Sequence, residues 1–194
     1  MTHRDTLDRL DRYRERLDAL VGATSVTCDI DPRARADGRV LAVSYLGTPA
    51  PGWVTGFSYG LSLSRHPDWG RAARELTITV RSEDVEWSRV PARMVAALRG
   101  MCPFRPRQVL GHAEPYVEGS VMNSAVLGDP VIDGGSGLLD LSPSEGYSRE
   151  NDLVEFVGVY PIHSSERDFV YSRGFNEFWS MEWDRVDPGR EPVV

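Results

Sequence analysis

Read as a pattern of apolar and polar positions, the chain opens on a helix. Leu7, Leu10, Tyr13, Leu17 and Leu20 recur at helical spacing and lay one apolar stripe over residues 6–21. Acid precedes base by four positions at Asp5/Arg9 and Asp8/Arg12, which supports a solvent-facing opposite side, and Gly22 supplies the stop. Then the period changes to two. Residues 25–30 and 39–45 read as strands, divided by Asp31-Pro32 and a turn at Asp37-Gly38. Past a Gly/Pro loop, 53–62 is the densest strand-forming stretch. In 75–81, Leu76, Ile78 and Val80 share one face while Thr77, Thr79 and Arg81 share the other. Trp53, Leu76, Ile78, Val80, Val157 and Val159 are the expected core.

A second helix is expected within 84–99, with Pro91 near its start, Met94, Val95, Ala97 and Leu98 on its apolar face, and Gly100 at its end. Short strand-like pieces follow at 108–110, 116–117 and 124–127. Residues 128–151 are rich in Gly, Asp, Ser and Pro and read as a long surface loop. Residues 153–160 form a continuous apolar strand. Ser164 and Ser165 then cap a helix with acids in its first turn, Gly174 interrupts it, and 175–183 continues as an aromatic helix. This order predicts an α+β fold with a largely antiparallel or mixed central sheet flanked by helices. The 194 residues suffice for a single domain with a core over 25–183.

Charge narrows the choice of partner. All 22 basic side chains are arginine, and the net charge of −7 is unevenly placed. Residues 1–139 hold 17 acids and 17 arginines, whereas 140–194 hold 12 acids against 5 arginines. An acidic C-terminal third argues against nucleic acid and suits a basic protein. No apolar run is long enough for a membrane helix and the N-terminus carries no apolar leader, so a cytoplasmic location is expected. Cys28 and Cys102 are too few for a disulfide framework and read as small buried thiols.

Candidate chemistry is sparse. Gly56-Phe57-Ser58-Tyr59-Gly60 matches the G-x-S-x-G of a serine nucleophile elbow. The residues that follow alternate in two and meet Pro67, which is no helix start, and neither His112 nor His163 has a recognisable acid partner pattern. The two glycines are better read as a bulge or a close backbone approach in a sheet. His112-x-Glu114 and His163-x-x-Glu166 are isolated pairs, short of the three or four ligands that zinc needs. Asp133-Gly134-Gly135-Ser136-Gly137 lacks the Gly-Lys-Ser/Thr ending of a phosphate loop. No catalytic, metal or cofactor residues are therefore assigned.

Three segments in order resemble the Suppressor of Fused family. They are Val54-Thr55-Gly56-Phe57-Ser58-Tyr59-Gly60-Leu61-Ser62 leading to Glu75-Leu76-Thr77-Ile78; the Trp87 helix followed by Cys102-Pro103-Phe104 and Gly111-His112; and Phe156 to Glu166 with its Pro161-Ile162-x-x-x-Glu166 junction. The resemblance spans residues 40–180. It implies an α+β domain that binds proteins without catalytic machinery. The animal member of that family sequesters a transcription factor by clasping an extended peptide, and single-domain bacterial members are immunity proteins that neutralise polymorphic toxins. By residue type, the expected partner contacts are Tyr59, Trp69, Asp84, Glu86, Glu166 and Asp168, facing a basic toxin effector domain. A general peptide-binding scaffold and a serine hydrolase at Ser58 are the alternatives.

Overall fold

The computed structural model describes residues 3–32, 38–132, 137–143 and 152–194, the side chains of 3–7 aside. The expected turn at Asp37, the glycine-rich residues 133–136 and residues 144–151 lie outside the described residues.

Helix α1 (His3–Val21) is followed by strands β1 (Val26–Ile30), β2 (Val40–Leu46), β3 (Val54–Tyr59) and β4 (Ala73–Val80). Next come α2 (Glu86–Leu98), β5 (Val109–Gly111), β6 (Ser124–Gly128), β7 (Leu138–Asp140), β8 (Leu153–Ile162), α3 (Ser164–Arg173) and α4 (Phe175–Trp179). The strands make one eight-stranded sheet in the order β1-β2-β3-β4-β8-β6-β5, with β7 also on β8. Every pairing is antiparallel except β4 with β8, so the sheet is mixed, as the α+β pattern implied.

Both faces are covered. On one, Val40, Ala42, Val54, Leu76, Ile78, Val80, Val157 and Val159 pack under Trp87, Val90, Met94 and Val95 of α2. On the other, Leu41, Val43, Tyr45, Phe57 and Phe156 pack against Tyr13 and Leu17 of α1. Alternating residues of β2 thus serve opposite cores, which is why the strand reads as apolar throughout. A third cluster joins Val126, Tyr160 and Ile162 to Val170 and Phe178 of the C-terminal helices.

Several expectations change. Trp53 is only half-buried at the entrance to β3, with the Arg81 guanidinium 5.5 Å from its ring centre, because the core begins one residue later at Val54. Tyr116 and Val117 sit in a bend rather than a strand. The long loop contains β7, whose Leu139 is buried beside Leu141. The arginine face of α1 is not solvent-facing throughout: Arg9 is buried near Asp152, and Arg12 and Arg16 donate to the Leu141 and Ser142 carbonyls. His163, not a serine, is the N-cap of α3, with its backbone N–H donating to Glu166 Oε2 at 2.9 Å. The aromatic helix stops at Trp179, and the chain turns so that Trp183 packs back on Phe178 and Trp179.

Pro161 lies inside β8, where proline is normally excluded. It is tolerated because β4 pairs with β8 only as far as Gly158, leaving that flank without a ladder to supply.

Candidate partner-binding surface

The G-x-S-x-G stretch runs up β3 into the middle of the sheet. A Cβ on Gly56 would stand 2.1 Å from the Ser88 carbonyl oxygen, so this glycine lets α2 lie directly on the strand. Gly60 has φ 134° and leads into a three-residue 3-10 turn, Leu61–Leu63, not the helix of a nucleophile elbow.

Ser58 is fully buried, and its hydroxyl donates to Glu75 Oε2 at 2.6 Å while accepting from the Leu76 N–H at 2.9 Å. Glu75, also fully buried, accepts at its other oxygen from the Gly60 N–H (2.8 Å), the Ser62 N–H (2.9 Å) and the Ser62 hydroxyl (2.7 Å). The carboxylate fills the split where β3 and β4 stop pairing beyond Phe57 and Thr77. Burial raises the Glu75 carboxyl above its ordinary range and outweighs the bonds from Ser58 and Ser62. Arg9 donates to the Ser62 hydroxyl at 3.1 Å and lies 3.7 Å from Asp152, tying α1 to this polar centre.

Ser58 therefore faces a carboxylate directly. The histidines with described side chains engage elsewhere: His66 near Asp68, His112 with the Glu114 carbonyl, His163 with the Arg190 carbonyl. Ser58 is a structural donor. Among the described residues, no group of three His, Cys, Asp or Glu is placed to hold a metal, and no helix is long and apolar enough to cross a membrane.

The six expected contact residues separate into two sets. Tyr59, Trp69 and Glu166 are buried, so the expectation that they face a partner is corrected. Tyr59 packs against Tyr13, with ring centres 5.1 Å apart. The Trp69 indole N–H donates to the Pro103 carbonyl at 2.7 Å. Glu166 pairs with Arg190 at 2.6 Å. Aromatic and acidic residue types raised them as contacts, but the same types anchor loops and caps. Asp84 and Asp168 are exposed and Glu86 half-buried. Asp84 accepts from the Glu86 N–H at 2.9 Å at the start of α2, and Glu86 is already paired to Arg89 and Arg93. Asp168 pairs with its neighbour Arg167. The structure does not gather the three into one patch by any contact among them beyond that Asp84–Glu86 bond.

What the tertiary structure does assemble is a sheet edge beside a groove. β1 is terminal in the sheet, and among the described residues no strand pairs with its outer side. Next to its end, an apolar groove of about 300 Å³ is lined by Ile30, Met94, Ala97, Leu98, Leu110 and Tyr116, among others. A second groove, of about 440 Å³, lies between the end of α1 and the β2–β3 loop. A third, of about 450 Å³, is charged and includes Arg81, Asp84, Trp87 and Asp187. The apolar face of α2 was legible in sequence, but spacing alone does not separate a residue under a helix from one beside a groove.

No family model and no curated protein matches the sequence. Solved structures do match by fold. A Suppressor of Fused homologue from Neisseria gonorrhoeae superposes with a TM-score of 0.61 at 14% identity, covering 97% of this chain and 96% of its own. The chain of a Sufu–Fu complex gives 0.61 at 12% identity, covering 95% and 91%. Drosophila Suppressor of Fused gives 0.62 at 11% identity, covering 95% of this chain but 50% of its own. At these identities the likeness establishes the fold: this chain has the Suppressor of Fused fold.

Proposed function

We propose that this chain is a non-catalytic protein-binding domain that acts as an immunity protein, neutralising a toxin effector by stoichiometric binding. The observation that carries the reading is the open outer edge of β1 beside an apolar groove. An unpaired edge of backbone N–H and C=O groups is a ready template for a partner's strand, and a neighbouring pocket adds side-chain choice. Ser58 supports the same direction, since the only literal catalytic motif in the chain is consumed in holding β3 to β4.

The fold agrees with this reading, because one matching structure is that of a Sufu–Fu complex, in which the fold is found with a protein partner. The net charge of −7 favours a basic effector. The test is to look for a toxin effector domain among the neighbours of this chain's gene and to co-express the two. Growth should be rescued, and the two proteins should co-elute as a complex of fixed stoichiometry. An effector that stays toxic and elutes alone removes the immunity role. A complex formed with a non-toxic protein instead would make the chain a peptide-binding scaffold.

A further inference from the structure

We propose that the groove under the C-terminal half of α2 receives one apolar side chain of an extended partner segment lying along the outer edge of β1, and that this segment carries a Lys or Arg next to that side chain. The inference deepens the protein-binding reading above and rests on it.

The groove brings together Ile30 from β1 and Leu110 from β5, the two outermost strands of the sheet. The sheet thus curls around α2 until its two ends border one space, floored by Met94, Ala97 and Leu98. At about 300 Å³ it sits at the bottom of the range of roughly 300–1,000 Å³ typical of small-molecule pockets, which suits one large side chain.

Strand geometry then places the ligand. Val26, Cys28 and Ile30 alternate onto the α2 face of β1, and Cys28 and Ile30 pack against the core beneath that helix. A strand added beside β1 presents its own alternate side chains to the same face, and the one beside Ile30 meets the groove.

Charge selects the neighbour. At the rim, Arg93 is paired to Glu86; Asp29, on the opposite face of β1, is paired to Arg39 at 2.6 Å. Asp31, at the groove mouth, is exposed and makes no ion pair among the described residues. A basic residue flanking the apolar anchor would lie over it. His112, also at the rim, is stacked on Tyr116 and bonded to the Glu114 carbonyl.

Panning a phage-displayed random peptide library against the full chain tests the assignment, with enriched peptides resynthesised for anisotropy titration. The expected consensus is a Leu, Ile, Phe or Trp beside Lys or Arg. Ala97→Trp, which fills the groove from a half-exposed helix position, should abolish binding without lowering the melting temperature. Asp31→Arg should weaken it about five-fold, the upper reach of an exposed charge pair, and tests the site by a substitution that disturbs no packing. Enrichment lacking the apolar–basic pair, equal binding by Ala97→Trp, or no enrichment at all overturns the proposal. An Ala97→Trp chain that still rescues growth against its effector sinks the groove assignment alone. Wild-type chain that rescues nothing sinks the immunity reading instead.

Discussion

Gly56 and Glu75 show how much a single position carries at the centre of this sheet. The helix α2 lies so close to β3 that any Cβ at residue 56 would collide with the Ser88 backbone, which has no flexible end to swing aside. Gly56→Ala should therefore destabilise the protein by about 3 kcal/mol, measured by urea unfolding, although alanine is the smallest possible change. Glu75 acts through charge. Its folded-state carboxyl is raised by burial, so the folded protein holds that proton more tightly than the unfolded chain does. Its favourable contribution is complete below the ordinary glutamate value of 4.5 and is lost as pH rises through the raised value. Replacing it by Gln removes this titration. The stability gap between wild type and Glu75→Gln should be widest in acid and shrink as pH climbs, read from melting temperatures across the pH series. A gap that widens with pH would contradict the assignment.

At the scale of elements, the C-terminal tail is clipped to the start of α3. Glu166 receives the Arg190 guanidinium at 2.6 and 2.8 Å, the His163 N–H at 2.9 Å and the Val193 N–H at 3.0 Å. Arg190 also lies 4.5 Å from the centre of the Trp183 ring, and Arg185 4.3 Å from that of Trp179, so cation–π stacking lines the same turn. Both partners of the ion pair are buried, with side-chain exposures of 7% and 0%. Arg190→Ala strands a buried carboxylate, and the expected loss is about 3–5 kcal/mol by chemical denaturation. Burial works to raise the Glu166 carboxyl, but the bonds from Arg190, His163 and Val193 outweigh it and hold it below the ordinary glutamate range. The pair's contribution is thus present above pH 4.5 and lost as pH falls through the lowered value. Wild type should lose this increment in acid, whereas Arg190→Ala should not.

For the molecule as a whole, charge and architecture are distributed differently. The excess acid belongs to residues 140–194, and Asp168, Glu177, Glu182, Asp184 and Glu191 of that segment are exposed. The open edge of β1 belongs to the other end of the chain. A basic partner would be steered by the first and held by the second. Its association rate should fall about ten-fold between low salt and an ionic strength of about 0.15 M, where screening is effective beyond about 8 Å, while its dissociation rate changes little. Stopped-flow mixing of the complex partners reads both rates. A salt-independent association rate would leave the acidic surface without a role in encounter.

Much of the fold was determined by local pattern. The stripe Leu10, Tyr13, Leu17 sets α1; the alternation of Leu76, Ile78 and Val80 sets β4; and Gly22, Gly100 and Gly174 end or divide helices, each at a positive φ where glycine is favoured. These signals survive because they arise between residues a few positions apart. What only the tertiary structure decided depends on partners distant in the chain. Arg9 reads as a solvent-facing charge until Asp152 closes over it, and Tyr59, Trp69 and Glu166 read as surface anchors until Tyr13, Pro103 and Arg190 supply their contacts. Ser58 matches a nucleophile motif only in spelling and reads as a sheet residue, but its actual partner, the Glu75 carboxylate 17 residues on, is visible only in the structure. The edge of β1 and the groove beside it have no sequence signature at all. They exist because the strand order leaves β1 terminal and the curl of the sheet brings it towards β5 beneath α2, and strand order is a property of long-range pairing rather than of any local run of residues.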